Sequence, residues 1–174
     1  MLSEAVEHAL LADQPNLAAQ LVEGSAEELP LAEQNISMLL RWKMYLPDHV
    51  LASTPRLIIL YCWALGLACQ LDAADQLLAQ LSKFLPAPTV TEQQGLLAQW
   101  QALQGLLARG RGDAMRARQY CNDALVDLPS ERHGQRQICL SILGNLAILR
   151  GDILQARQLT RDNVELAQRV GCRL

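Results

Sequence analysis

Gly105-Leu106-Leu107-Ala108-Arg109-Gly110-Arg111-Gly112-Asp113, followed by Ala117-Arg118, is matched by Gly144-Asn145-Leu146-Ala147-Ile148-Leu149-Arg150-Gly151-Asp152, followed by Ala156-Arg157. Gly105/Gly144, Gly112/Gly151, Asp113/Asp152 and Ala117/Ala156 all stand 39 residues apart. Stepping back 43 residues takes Ala117 to Ala74, Gly112 to Cys69 and Pro129 to Pro86. A further 56 takes Ala74 to Ala18 and Pro86 to Pro30. Repetition at this scale marks a chain built from stacked supersecondary units.

Each residue type in the pattern has a physical task. Two helices that cross closely need small residues at the crossing, here Gly105, Gly144, Ala117 and Ala156. Gly112 and Gly151 let the chain leave the first helix through a left-handed conformation. Asp113 and Asp152 are placed to cap the next helix. A later proline stops the second helix. This is the logic of tetratricopeptide repeats, although 39 and 43 residues exceed their usual period of about 34.

Working outward, Leu, Ala, Gln, Arg and Glu dominate, and no segment alternates as a strand does. Helical periodicity and proline punctuation predict helices over 2–12, 15–28, 30–45, 55–69, 72–85, 91–109, 113–128, 131–150 and 153–170. Thr89 to Glu92 and Ser130-Glu131 read as capped helix starts. The expected fold is all-α: a right-handed superhelix of stacked antiparallel helix pairs, one domain over 1–174. Its repeats run over about 2–30, 55–86, 91–129 and 131–170, with an extra helix at 30–45.

Composition narrows the function. Net charge is −3 and 4% of residues are aromatic, which disfavours a bulk grip on nucleic acid. Charge is uneven: residues 1–90 carry 4 basic and 10 acidic side chains, residues 91–174 carry 11 and 8. Arg109, Arg111, Arg116 and Arg118 cluster around one turn, as a docking site for an acidic module or as a solvated turn. No apolar run is long enough for a membrane helix, and the start carries no signal peptide. The five cysteines, Cys62, Cys69, Cys121, Cys139 and Cys172, contain no C-x-x-C pair and read as small buried thiols in a reducing cytoplasm. His8, His49 and His133 are scattered, so neither a metal site nor a nucleophile beside a base is evident. Glu27-Glu28 and the spaced acids could pair, but no nucleophile stands beside a base. The chain is expected not to be an enzyme.

The amino-terminal half carries a family likeness. Glu4 to Asp13, Leu17 to Glu23, Leu40-Arg41-Trp42-Lys43-Met44-Tyr45-Leu46-Pro47, Pro55-Arg56-Leu57, Leu60 to Ala64 and Leu71-Asp72-Ala73-Ala74 resemble the middle region of MalT-like, LuxR-family transcriptional regulators. The resemblance covers about residues 2–86; the remainder follows the general repeat pattern. It implies an effector-sensing and self-association region within a larger protein that has a nucleotide-binding module and a helix-turn-helix. No G-x-x-x-x-G-K-[ST] and no basic recognition helix occur here. ATP is therefore expected only in the parent's missing module, with no cofactor in this fragment, and DNA only through the missing helix-turn-helix.

In tetratricopeptide arrays the first helix of each pair lines an inner groove. Counting from the crossings places Arg56, Ile59 and Trp63 there, then Gln99, Ala102, Leu106 and Arg109, then Ser141 and Asn145. Arg56, Trp63, Gln99, Arg109, Ser141 and Asn145 would suit a small polar effector, or a protein or peptide. An indole at helical spacing is nevertheless more often core than ligand platform, and Trp63 stays open to either reading. The last helix, presenting Leu159, Leu166 and Val170, would accept a following repeat or a second copy. A stand-alone tetratricopeptide adaptor for a peptide or protein partner is the alternative.

Overall fold

The computed structural model describes residues 2–25 and 33–171, and of Glu33, Val170 and Gly171 the backbone alone. Pro30, Glu27, Glu28 and Cys172, and the expected Ala18/Pro30 pairing, therefore lie outside the described residues. The described helices are α1 (Leu2–Leu11), α2 (Pro15–Gly24), α3 (Glu33–Lys43), α4 (Asp48–Leu51), α5 (Pro55–Leu67), α6 (Leu71–Ala79), α7 (Val90–Gly110), α8 (Ala114–Asp127), α9 (His133–Leu149) and α10 (Ile153–Gly171). A 3-10 turn at Gln80–Phe84 follows α6, and no strand occurs among the described residues. The fold is all-helical, made of stacked helix pairs as in helical repeat proteins.

Four of these helix pairs close through the same turn. Asp13, Cys69, Gly112 and Gly151 have φ of +54°, +59°, +79° and +74°. They are separated by 56, 43 and 39 residues, the offsets read from the sequence. In each turn the left-handed residue's amide donates to the carbonyl three residues back, and the next amide to the carbonyl five back, at 2.9–3.1 Å. This double bond pattern satisfies carbonyls that a helix end would otherwise leave bare. The fifth residue after the left-handed one is Ala18, Ala74, Ala117 or Ala156, whose amide bonds back to the first residue of the new helix's cap at 3.0–3.1 Å. All four alanines are buried. Asp113 and Asp152 cap as expected, accepting from the amides of Arg116 (3.0 Å) and Gln155 (3.1 Å). The corresponding Gln14 and Gln70 make no side-chain cap.

The chain divides into two compact units, Met1–Leu85 and Pro86–Leu174. In the first, α1 pairs with α2 and α5 with α6, while α3 packs on α5 and α2 touches α4 and α5. Helix α5 is the centre: every residue from Leu57 to Gly66 is buried. Thr54 caps it by accepting from the Leu57 amide at 3.3 Å, and Pro55 occupies its first turn, where no amide is needed.

In the second unit α7 pairs with α8, α9 packs on both, and α10 pairs with α9. Trp100 and Tyr120 meet edge to face across the first pair, with centroids 5.7 Å apart. The Arg136 guanidinium donates to the carbonyls of Leu125 (3.2 Å) and Leu128 (2.7 Å), so α9 satisfies the end of α8. Gly105 is where the α7–α8 crossing is tightest. A Cβ there would lie 2.6 Å from Cys121 Sγ and 3.3 Å from the Cys121 amide nitrogen. At Gly144 the nearest atom would be Leu159 Cβ at 3.9 Å, an ordinary contact. The small-residue requirement therefore holds at Gly105 and does not at Gly144.

Some expected boundaries shift. Helix 72–85 ends at Ala79 and tightens into the 3-10 turn, where the Ser82 hydroxyl bonds the Ala79 carbonyl at 2.8 Å. Helix 30–45 ends at Lys43, because Pro47 forces the preceding chain out of helical geometry. The single turn α4 was not expected; it buries Val50 and Leu51 between two prolines. Thr89 caps α7 by accepting from the Glu92 amide at 3.2 Å. Ser130 does not cap α9: its hydroxyl donates to Glu131 at 2.7 Å, and the helix begins at His133.

Two substitutions separate these roles. Gly105→Ala is expected to lower unfolding free energy by about 1–3 kcal/mol through overpacking. Gly144→Ala raises it by up to about 1 kcal/mol, the helix propensity gain; urea melts of the two variants read the difference. Cys69→Gly relieves a left-handed side chain and is expected to stabilise by about 1 kcal/mol, while Gly112→Ala costs a similar amount. Equal midpoints for all three proteins would remove the turn from the stability account.

Candidate functional site

The residues expected to line a groove are only partly at the surface. Arg56 is exposed at the start of α5, but Trp63 is 1% exposed and Ile59 6%. Trp63 as a ligand platform is thus corrected: it is a core residue. The reason is visible in α5 itself, whose apolar residues surround the helix and leave it no open face. In the second unit Ala102 is likewise buried and Leu106 half-buried, whereas Arg109 and Asn145 are exposed. Gln99 is half-buried and its amide donates to the Gly95 carbonyl of its own helix at 3.4 Å. Ser141 accepts from the Asn163 amide at 2.9 Å, which ties α9 to α10. Of the four arginines around the α7–α8 turn, all exposed, Arg116 reaches Asp113 at 3.5 Å.

A better-formed surface lies at the last helix pair. A groove of about 640 Å3 runs along α10, lined by Ile148, Ile153, Arg157, Thr160, Arg161 and Val164, with Glu165 and Gln168 at its edge. Ile148 and Ile153 are each 56% exposed and Val164 50%. The residues expected on this face, Leu159 and Leu166, instead sit half-buried; the side chain of Val170 lies outside the described residues. The repeat offset explains what the groove is. Thr160 and Val164 correspond, 39 residues on, to Cys121 and Leu125 of α8. Cys121 is fully buried and its thiol bonds Cys139 of α9, while the Leu125 carbonyl takes the Arg136 guanidinium. Positions of α8 that α9 contacts thus correspond to exposed positions on α10.

Among the described residues three thiols are buried as expected, and the expected burial of Cys69 is corrected. Cys62, Cys121 and Cys139 are buried and Cys69 is exposed in its turn. The bond with Cys139, and then burial, pushes the Cys121 thiol far up; burial and then the charge of Asp75 do the same to Cys62, whose thiol donates to the Ala74 carbonyl at 3.4 Å. Both stay protonated at neutral pH and are poor nucleophiles. Among the described residues no three His, Cys, Asp or Glu side chains converge as a metal site. No helix of the described residues is long and apolar enough to cross a membrane.

Stacked helix pairs with an open end face define a helical-repeat scaffold. The particular likeness is to the HTH-type transcriptional regulator MalT. The chain is 25% identical to that protein of Klebsiella pneumoniae strain 342 and 24% identical to that of Yersinia pestis strain Pestoides F, each over 173 residues. The match covers 96% of this chain, so the MalT-like character extends well past residue 86. The chain spans 18% of the length of these relatives. No family model and no solved structure matches it.

Trp63→Ala is expected to cost about 3–5 kcal/mol of unfolding free energy, as emptying a packed site does; a loss below about 1 kcal/mol in denaturant melts would put the indole back at the surface. Alkylation of the native protein is expected to modify Cys69 and spare Cys62, Cys121 and Cys139 until denaturant is added, as peptide mass mapping would show.

Proposed function

We propose that this chain is the effector-sensing and protein-interaction region of a MalT-like transcriptional regulator, acting in the cytoplasm by binding and not by catalysis. The observation that carries this reading is the match to MalT over nearly the whole chain, on repeats that leave one stacking face open. The face along α10 is the docking surface. Its occupant is the first helix of a further helical pair in the same regulator, lying on α10 as α9 lies on α8. Ile148, Ile153 and Val164 take its apolar stripe, and Arg157 and Arg161 take carboxylates on its flank. An effector that favours one packing of these helices over another would shift the regulator between states. ATP and DNA belong, on this reading, to modules outside this segment.

Val164→Asp in the regulator that carries this segment tests the proposal. It places a carboxylate on the apolar stripe at a half-exposed position, so the segment's own stability should move by less than about 1 kcal/mol. Effector-dependent output from a transcriptional reporter is expected to fall at least about tenfold, the effect of burying an unpaired charge. An unchanged response would return α10 to solvent. A reporter insensitive to every metabolite tried, with the wild-type chain, would remove the sensing role.

A further inference from the structure

Lysine is scarce in this protein: Lys43 and Lys83 stand against thirteen arginines. Both lysines line one cleft of about 380 Å3 in the first unit, formed by the end of α3, α4, α6 and the 3-10 turn. Their surroundings make this convergence unexpected. The first unit has four basic side chains and ten acidic ones, so a carboxylate is the default partner for each cation. Arg41 takes Glu7, and Arg56 is also bonded. The side chains of Lys43 and Lys83 make no ion pair or hydrogen bond among the described residues. Asp48 lines the same cleft and pairs with neither, so its lining holds two lysines and one carboxylate.

The geometry points to a binding site for a small oxyanion, a phosphate or carboxylate compound, in the cleft between Lys43 and Lys83. Two ammonium groups lining one small cavity repel each other, and an anion between them reverses the sign of that interaction. Ammonium groups are compact charges with three rotatable donors, suited to phosphate and carboxylate oxygens. Gln76 and Gln80, one helical turn apart on the wall, add neutral amide donors, and His49 adds a ring N–H. Leu51 and Leu77 give the cleft a short apolar wall. The volume lies near the lower end of small-molecule sites, about 300–1,000 Å3, which favours a metabolite over a macromolecular surface. The inference rests on the first unit alone and is independent of what docks on α10.

Thermal unfolding of the full chain, at constant ionic strength, tests it with inorganic phosphate, pyrophosphate and citrate against chloride. At least one probe is expected to raise the melting temperature in a saturable way. Protection by the phosphates alone assigns a phosphate group, and by citrate alone a carboxylate. Lys83→Met and Lys43→Met should each weaken the protecting probe about tenfold, the loss of one charge-assisted bond. Arg118→Met, in the other unit's basic cluster, should leave it unchanged. Lys83 is exposed, so its variant keeps the test decisive if Lys43→Met disturbs folding. No protection beyond chloride overturns the site, as does protection that survives Lys83→Met or falls equally with Arg118→Met.

Discussion

Each of the four helix pairs depends on one backbone event, a single residue held at positive φ between two helices. Without it the first helix would run on, and its last carbonyls would need water or another partner. With it, two amides turn back onto those carbonyls and the chain reverses within three residues. Reversal brings the second helix so close to the first that the residue one turn in must be small, and it is alanine all four times. Turn and crossing are therefore one constraint. The side chain at the turn can vary through Asp, Cys and Gly because left-handed backbone costs a non-glycine residue about 1–2 kcal/mol, which burial of the paired faces outweighs.

The two units use this constraint differently. The first wraps its pairs around α5, whose residues Leu57 to Gly66 are all buried, and has a cleft lined by Lys43 and Lys83. The second stacks one pair on the next through α9, with Arg136 and the Cys121–Cys139 contact across the joint. A stack built this way always leaves its last face uncovered. That open face, and the lysine-lined cleft of the first unit, are where this scaffold offers itself to other molecules.

Much of the fold was legible because its signals are local. The glycines, aspartates and alanines at fixed offsets mark turn, cap and crossing within a dozen residues of each other. The offset of 43 aligned Cys69 with Gly112, but the expected helix 55–69 ran through it; only the structure shows that Cys69 takes the left-handed turn. The proposed groove was less legible. Trp63 was placed in it by counting along a repeat, although Leu57 to Gly66 is apolar on every side, a pattern that means burial and was present in the sequence. The lysine cleft could not be found by pattern, since Lys43 and Lys83, 40 residues apart in the chain, come to line one cleft only in the folded unit.

The amino-acid sequence alone determined the longer helices, their pairing through the repeated turn and the likeness to MalT-like regulators. Backbone hydrogen bonding, capping and the left-handed turn act between residues close in the chain, so they leave a mark in order and spacing. Tertiary structure decided which small residue is indispensable, Gly105 and not Gly144, because that depends on how near a second helix comes. It also decided which apolar residues of α10 are exposed and which two lysines share a cleft. Those properties belong to surfaces, and a surface exists only once distant segments have packed.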